Sequence, residues 1–186
     1  MTVFAKQAGV LLVMTLAALS SGCSTSTTAR HDNTSKEKDG AGSNVTFFQL
    51  FGKSYGIDNF ERWSDGSRTL SRQGLMPTGR LNFSEAKKVC ARAGGRICTL
   101  PEWRWACRTV SARETRCEKS QELLPSGMHC PGNGPGPRDM ESNLLEWAVY
   151  PRTGAPVIAG VHSDCLRFRQ TSRKKRAQNL GVRCCY

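Results

Sequence analysis

The sequence predicts a single domain of mixed helices and short strands, held together by disulfide bonds, in the part of the chain after residue 44. Two segments between residues 82 and 108 have the periodicity of amphipathic helices. Short apolar segments bounded by turn residues, typical of strands, lie before and after these helices. The same part of the chain contains eight cysteines, which indicates a disulfide framework.

The first helix is predicted from an apolar stripe that ends at a Gly-Gly pair. Asn82 or Ser84 can cap its N-terminus, because either side chain accepts a hydrogen bond from the first turn. Gly94-Gly95 ends the helix, since glycine readily adopts the left-handed conformation common at this point. The stripe follows the spacing i, i+3, i+4 and i+7 and consists of Ala86, Val89, Cys90 and Ala93.

The second helix begins at a capping-box pattern. Thr99 and Glu102 stand three residues apart, so that each side chain can accept a hydrogen bond from the other's backbone. Pro101 fits the first turn, where a missing N–H is tolerated. Residues 96–98, between the two helices, are predicted to be extended. The buried side of the second helix is predicted to consist of Trp103, Ala106 and Cys107.

A first group of strands is predicted before the helices. Residues 45–63 indicate short strands interrupted at Gly52 and Gly56, and residues 64–80 indicate a loop. The side chains expected to enter the core from the first of these segments are Phe47, Phe48, Leu50, Phe51 and Tyr55.

A second group of strands is predicted after the helices. Residues 108–138 are predicted to be irregular, and residues 166–178 to form a loop. Strands are expected at 145–149, 155–161 and 179–186. In the first of these, alternation places three side chains on one face: Leu145, Trp147 and Val149.

The N-terminus has the features of an export signal. The apolar run at 7–21 is shorter than the ~20 residues that span a bilayer, which favours a signal peptide over an anchor helix. It ends at Leu19-Ser20-Ser21-Gly22-Cys23, which resembles a bacterial lipobox with its leucine four residues before the cysteine instead of three. Residues 1–22 are therefore predicted to be a lipoprotein signal peptide and Cys23 to be lipidated. Ordinary signal cleavage near the same place is the alternative.

The segment after the predicted signal peptide indicates how the folded domain is attached and where it is located. Residues 23–44 are polar and rich in Ser, Thr and Gly, and are predicted to form a disordered tether. Ser24 after Cys23 fits outer-membrane sorting by the rule known in enteric bacteria. The expected location is thus the cell envelope, lipid-anchored at the outer membrane and facing the periplasm or the cell surface. The folded domain is predicted at 45–186.

The chain carries a formal net charge of +12. In an exported protein the expected counter-charge is the anionic membrane, an anionic polymer, a glycan or an acidic protein, and nucleic acid is not expected. A basic balance that serves solubility alone is the alternative. One loop concentrates the charge, and it is either a docking surface or a solvated, self-repelling segment. Its cations are Arg167, Arg169, Arg173, Lys174, Lys175 and Arg176.

The eight cysteines predict four disulfides, because their number is even and the compartment is oxidising. Counting alone leaves the pairing open. A zinc cluster is the competing interpretation, but no two of these cysteines have the C-x-x-C spacing typical of zinc ligands.

Three blocks together resemble the formylglycine-generating enzyme family, also called the sulfatase-modifying-factor domain. They are FSEAKKVCARAGGRICTLPEWRWACR at 83–108, RDMESNLLEW at 138–147 and NLGVRCC at 179–185. The blocks occur in the family's order, and the last lies at the closing strand. The resemblance implies a single α+β domain of formylglycine-generating-enzyme type, akin to C-type lectins, with much irregular structure and disulfide staples.

The resemblance also implies disulfide partners. The cysteine matching Cys90 is bonded in the family to the one matching Cys184, which makes this the best pair. The family partner of Cys107 falls at Gln170, so Cys107 is expected to use another cysteine, with Cys165 as the candidate. The remaining pairs are then expected to be Cys117–Cys130 and Cys98–Cys185.

Active members of the family hold copper(I) between two cysteines, which suits a soft ion. Cys165 matches the second cysteine, but Gly160 stands where the first would be. The resemblance therefore implies that oxidase chemistry and copper are lost, with Cys165 as the candidate catalytic residue if some activity remains. His162 is the alternative replacement for the missing sulfur. The related three-histidine iron site is not expected, because the histidines at 31, 129 and 162 are far apart in sequence.

The second block implies a structural calcium site. Its ligands would be the side chains of Asp139 and Glu146 and the backbone carbonyls of Ser142 and Leu144, oxygen donors of the kind calcium prefers. Alternatively, Asp139 and Asn143 cap the turn and Glu146 pairs with an arginine.

The sequence thus predicts a cell-envelope lipoprotein whose domain acts in binding or structural roles without catalysis. One alternative is an active or altered oxidase that uses Cys165. Another is a calcium-dependent, lectin-like carbohydrate binder.

Overall fold

The computed structural model describes residues 44–111, 122–130 and 135–186. These residues belong to one compact unit. The predicted signal peptide, Cys23 and all of the predicted tether except Asn44 lie outside the described residues. Neither helix of the described ranges has the length and apolar character that a membrane span requires.

Two helices and ten short strands are described, which gives a mixed α+β domain with disulfide bonds. The helices are α1 (Phe83–Arg92) and α2 (Leu100–Ser111). The strands are β1 (Val45–Leu50), β2 (Lys53–Asp58), β3 (Arg62–Ser64), β4 (Thr69–Ser71), β5 (Arg96–Ile97), β6 (Leu145–Val149), β7 (Pro156–Ala159), β8 (Phe168–Gln170), β9 (Leu180–Gly181) and β10 (Cys184–Cys185).

The strands form two four-stranded sheets and one hairpin. The first sheet has the order β1-β2-β10-β5 and the second β8-β7-β6-β9, while β3 pairs with β4. Neighbours are antiparallel except β6 and β9, which run parallel. The first sheet therefore combines segments from both ends of the domain, which places the C-terminus in its interior.

Both predicted helix starts are confirmed. Asn82 caps α1: its Oδ1 accepts the Glu85 N–H at 3.0 Å, and Glu85 Oε2 accepts the Asn82 N–H at 2.8 Å. Before α2, the Thr99 N–H donates to Glu102 Oε2 at 2.8 Å. Ala93 is the C-cap of α1 and is only half-buried, so it does not belong to the buried stripe. The buried residues of α1 are Phe83, Ala86, Val89 and Cys90.

The predicted final strand is two strands that belong to different sheets. β9 lies beside β6, and β10 lies between β2 and β5. The chain crosses from one sheet to the other through Val182 and Arg183, whose side chains are fully buried. An arginine is thereby placed at the centre of the domain, with consequences for the site described below.

Three other expectations are corrected. The predicted loop at 64–80 contains β4, paired with β3, and the basic segment 166–178 contains β8. Phe47 and Phe51 were expected in the core but are 70% and 89% exposed. They lie on the outward face and at the turn of the β1–β2 hairpin, whereas Phe48 packs inward and stacks on Tyr55.

The core has two parts, one on each face of β6. Trp103 of α2 lies in the first part and Trp147 of β6 in the second, and both are fully buried. Because β6 is covered on both faces, Glu146 and Ala148 are as buried as Trp147. The predicted alternation is therefore correct in placing Trp147 in the core, but the opposite face of β6 is also buried.

Three disulfides join the described elements. They are Cys90–Cys184, Cys98–Cys185 and Cys107–Cys165, the pairs expected for these cysteines from the resemblance. The first joins residues 94 positions apart and stabilises the fold by roughly 4 to 5 kcal/mol through its effect on the unfolded chain. Cys130 is also disulfide-bonded, while its expected partner Cys117 lies outside the described residues.

Candidate functional site

The centre of the domain is a buried ionic cluster around Arg183. Its Nε donates to Glu146 Oε1 at 3.1 Å, and its two terminal nitrogens donate to the carbonyls of Asp58 and Arg138 at 2.8 and 2.6 Å. Trp103 Nε1 donates to Glu146 Oε2 at 2.5 Å. Burial alone would lower the pKa of Arg183, but the surrounding carboxylates, Glu146 first, raise it and keep the guanidinium charged.

This cluster brings one residue of each of the three sequence blocks into contact. Trp103 comes from the first block, Glu146 from the second and Arg183 from the third, and they form one hydrogen-bonded chain. The blocks therefore meet in the interior and serve the scaffold. The sequence analysis had given pairing of Glu146 with an arginine as the alternative to a calcium site, and Glu146 does pair with Arg183.

A second buried pair extends the cluster. The Asp58 carboxylate accepts two hydrogen bonds from Arg62, each at 2.6 Å, and one from the Cys184 N–H at 2.9 Å. Tyr186 donates its hydroxyl to the same carboxylate at 3.1 Å, and burial together with Asp58 raises the pKa of Tyr186. The sequence analysis missed this pair. The charged residues of the IDNFERW segment interrupt an apolar run and were the signal that could have indicated it.

Glu61 is the exception within the cluster. Its Oε1 accepts a hydrogen bond from Asn143 Nδ2 at 3.0 Å, but among the described residues no donor reaches Oε2. Burial raises the pKa of Glu61 to about 8, with Asp139 and Glu146 adding to the effect and Arg183 opposing it. The carboxyl group is therefore largely protonated at neutral pH, which spares the interior one negative charge.

The predicted calcium ligands do not form a site that fits calcium. Asp139 Oδ2 and Oδ1 accept the backbone N–H groups of Gly127 and Cys130 at 2.5 and 2.9 Å, while Glu146 pairs with Arg183. A guanidinium bound to one carboxylate disfavours a second cation beside it. Within the described ranges, neither acidic residue belongs to a group of three metal-ligating side chains.

The cysteine that the resemblance matched to a copper ligand is part of a disulfide. Cys165 is bonded to Cys107, so its sulfur is not a thiolate, the form that binds metals. Gly160 has φ +78°, and a Cβ there would lie 3.4 Å from the Met140 carbonyl oxygen. A cysteine at this position would thus have a strained backbone.

Only one group of three potential metal ligands occurs in the described part of the chain. It consists of Cys107, Cys165 and Glu141, whose ligand atoms lie within 4.8 Å of one another. Both sulfurs belong to the disulfide, and Glu141 Oε1 accepts the Cys165 N–H at 3.2 Å. With the disulfide formed, this group is a structural contact and not a metal centre.

A polar cleft of about 650 Å³ has Glu141 and Gly160 in its lining. It is formed by Leu123, the turn before β6, the turn after β7, strand β8 and the segment before β9. Five segments of the chain thus meet at one surface. The polar residues that line the cleft are Glu141, Ser142, Asn143, His162, Ser163, Arg169, Gln178 and Asn179.

The backbone of this cleft is strained. Asn143, His162 and Ser163 have φ values of 62°, 59° and 51°, and Gly160 also has a positive φ. Non-glycine residues in this region each cost on the order of 1 kcal/mol or more, and such residues cluster at ligand sites. The Asn143 side chain is turned inward, where Oδ1 accepts the Leu124 N–H at 2.9 Å.

The residues of the predicted basic patch have different neighbours in the structure. Arg167 pairs with Asp164, and Arg169 lines the cleft. Arg173 lies 5.6 Å from the ring centre of Phe83, and Arg176 binds Glu85. Lys174 and Lys175 are exposed in the same loop.

Neither histidine of the described residues belongs to a group of three potential metal ligands. His129 is buried and its Nε2 lies 3.2 Å from the Glu122 carbonyl oxygen, while His162 is exposed at the cleft. His31 lies outside the described residues.

Comparisons with known proteins identify no family. No protein-family model matches this chain, and no curated protein sequence matches it. Among solved structures, it is similar to the "Major Tropism Determinant I1 Variant" with 10% sequence identity and a TM-score of 0.49. The match covers 70% of this chain and 50% of that chain, so this protein corresponds to half the length of that structure.

Proposed function

We propose that this protein is a lipid-tethered, non-catalytic binding module of the cell envelope, with a domain of formylglycine-generating-enzyme type and a C-type-lectin-like fold. The observation that carries the proposal is the Cys107–Cys165 disulfide. It occupies the one cysteine that matches the family's copper site, and Gly160 supplies no second sulfur. What remains at this place is a cleft with polar walls.

The lining of the cleft suits a neutral ligand rich in hydroxyl and amide groups, and we therefore propose a glycan. Ser142, Ser163, Gln178 and Asn179 carry hydroxyl and amide side chains there, while Arg169 supplies a fixed positive charge. Such groups form the directional hydrogen bonds that recognise sugar hydroxyls. The binding is proposed to be independent of calcium, because Asp139 and Glu146 are occupied by protein donors.

The test compares two arginines of the same segment. Arg169 lines the cleft, whereas Arg167 is exposed beside Asp164 and does not. With an N-acetylglucosamine oligomer as the probe, Arg169→Ala is expected to weaken binding about tenfold or more. Arg167→Ala and the addition of EDTA are expected to leave it unchanged. Equal losses in both variants, or no binding by this probe and a wider glycan array, would contradict the proposal.

The runner-up is an oxidase that uses Cys165, and it makes a different prediction. It requires a free Cys165 thiol that responds to copper(I), and conversion of a substrate cysteine to an aldehyde. The disulfide favours the binding module over this alternative. A thiol assay of the exported protein, with and without a reductant, separates the two.

A second binding mode is favoured by the basic loop. The segment 173–176 is held against α1, because the Phe83 N–H donates to the Arg173 carbonyl at 3.1 Å and Arg176 binds Glu85. An ordered group of like charges attracts anionic polymers more strongly than a mobile one, since less entropy is lost on binding. Lys174→Glu with Lys175→Glu is expected to abolish retention on heparin at low salt. Retention equal to that of the wild type would rule this mode out.

A further inference from the structure

The β1–β2 hairpin carries two large apolar side chains that the fold does not use. Phe51 is 89% exposed and Phe47 is 70% exposed. β1 is an edge strand of its sheet, and its residues from Val45 to Leu50 include no charge and no proline. Natural edge strands are commonly protected by charges, prolines or a cover, so an uncharged edge with exposed aromatic rings indicates a partner surface.

Phe51 is also unfavourable for the turn that contains it. Phe51 and Gly52 form a two-residue turn with φ values of 50° and 74°, the geometry of a type I′ hairpin. Asn-Gly is the favoured pair there, and a bulky residue at the first position is strained. A side chain that is strained and almost fully exposed contributes to neither turn nor core. Its place in the sequence therefore points to contact with something outside the domain.

The chemistry around these rings fits a lipid surface. Within residues 45–56 the only charged side chain is that of Lys53, next to the turn. Phe47 lies across Gly56, where a Cβ would come within 3.1 Å of the ring, so this ring sits on the outward face of the hairpin. Aromatic rings beside a lysine are typical of segments that rest at the membrane interface.

The position of the hairpin in the chain decides between lipid and a second protein strand. The predicted tether, residues 24–44, ends directly before β1 and spans at most about 75 Å even when fully extended. The hairpin is thus the part of the domain closest along the chain to the predicted lipid on Cys23. A pairing strand would use the β1 backbone and leave Phe51 at the turn without a role.

We propose that the outward face of the β1–β2 hairpin, from Phe47 to Phe51, rests on the bilayer to which the chain is tethered and inserts its two phenylalanine rings into the interface. The proposal rests on the lipid tether of the proposed function. It adds a second, weak contact that sets how the domain sits on the membrane, because two signals anchor a protein far more firmly than one.

The experiment uses the full chain with Cys23→Ser, exported and without its lipid, and vesicles of phosphatidylethanolamine and phosphatidylglycerol. Co-sedimentation is expected to show binding that Phe51→Asn weakens about tenfold or more, as does Phe47→Ser. Phe51→Asn suits the type I′ turn, so this variant is expected to unfold at an equal or higher urea concentration than its parent. Loss of binding without loss of stability separates membrane contact from folding.

The matched control is Met76→Ser, which removes an apolar side chain that is 49% exposed and lies outside the hairpin. Full vesicle binding by this control supports the proposal. Absence of vesicle binding by the parent chain overturns it, as does an equal loss in the control. A fall in sedimentation coefficient on Phe51→Asn, without a change in vesicle binding, would instead assign the hairpin to self-association.

Failure of this proposal and failure of the proposed tether are distinguishable. The lipid on Cys23 is measured by mass spectrometry of the exported wild-type chain, and glycan binding is measured at the cleft. Neither readout depends on the phenylalanines, so each proposal stands or falls on its own result.

Discussion

The ionic cluster around Arg183 and the cleft beside His162 are both polar, but they differ in how their groups are satisfied. In the cluster the arginine donates to a carboxylate and two backbone carbonyls, and it is completely buried. In the cleft His162, Arg169, Gln178 and Asn179 are exposed to solvent, and the backbone is strained at His162 and Ser163. The comparison teaches that polar residues serve the fold where they are paired with each other, and are available for a ligand where they are not.

The largest effect is expected from breaking the cluster. Arg183→Met removes the positive charge beside Glu146 and leaves that buried carboxylate without its ion-pair partner. It also removes the donors to the backbone carbonyls of Asp58 and Arg138. Loss of one partner of a buried pair costs about 3–5 kcal/mol. Urea unfolding measures this, with Arg167→Met as the exposed control at less than about 0.5 kcal/mol. A similar small effect in both variants would mean that the cluster does not stabilise the fold.

The next effect tests the connection between the cluster and the C-terminus. Replacing Cys90 and Cys184 together by alanine is expected to lower the free energy of unfolding by about 2–4 kcal/mol, less than the bond would contribute alone, because Cys98–Cys185 still joins the same two segments. Addition of a reductant to the wild type is expected to have at least the same effect on the urea midpoint. A reductant that leaves the midpoint unchanged would contradict the role given to the bond.

Glu61 gives a pH-dependent test. Its folded pKa of about 8 lies above the ordinary value of 4.5, so between these values the folded chain holds a proton that the unfolded chain has released. The stability that this proton contributes is complete below about pH 4.5 and is lost as the pH rises through about 8. Glu61→Gln, which mimics the protonated form, is expected to be more stable than the wild type at pH 8 by on the order of 4 kcal/mol.

The measurement for Glu61 is urea unfolding at pH 5, 6.5 and 8. The difference between variant and wild type is expected to be small at pH 5 and to grow with pH. A difference that stays constant over this range would show that the proton is not held by Glu61.

The smallest effect is expected in the cleft. Ser163→Gly relieves a left-handed backbone conformation, so the free energy of unfolding is expected to rise by about 0.5–1 kcal/mol or to stay level. The same change removes a hydroxyl from the cleft and is expected to weaken binding of the N-acetylglucosamine oligomer. A clear loss of stability would show that Ser163 stabilises the fold, which would contradict the difference proposed between the cluster and the cleft.

Much of the fold could be predicted from the sequence where local patterns decide it. The starts of both helices follow from short-range capping at Asn82 and Thr99, which depends on neighbours in the chain. The outward position of Phe47 and Phe51 could not be predicted, because an apolar run does not show whether its strand lies at a sheet edge. Periodicity assigns side chains to faces but does not say which faces are covered.

The candidate site was less predictable for a physical reason. The interior position of Asp58 and Arg62 depends on mutual pairing, whereas charge in a sequence normally indicates exposure. The cleft is assembled from turns around Asn143, His162 and Asn179 that lie far apart in the chain. Its backbone strain depends on the packing of the surrounding elements, which a local pattern does not contain.

The most direct test of the central claim is a thiol count on the exported Cys23→Ser chain, before and after exposure to copper(I). The account predicts no reactive thiol at Cys107 or Cys165 under denaturing, non-reducing conditions, and no retained copper. One reactive Cys165 together with stoichiometric copper and conversion of a peptide cysteine to an aldehyde would contradict it.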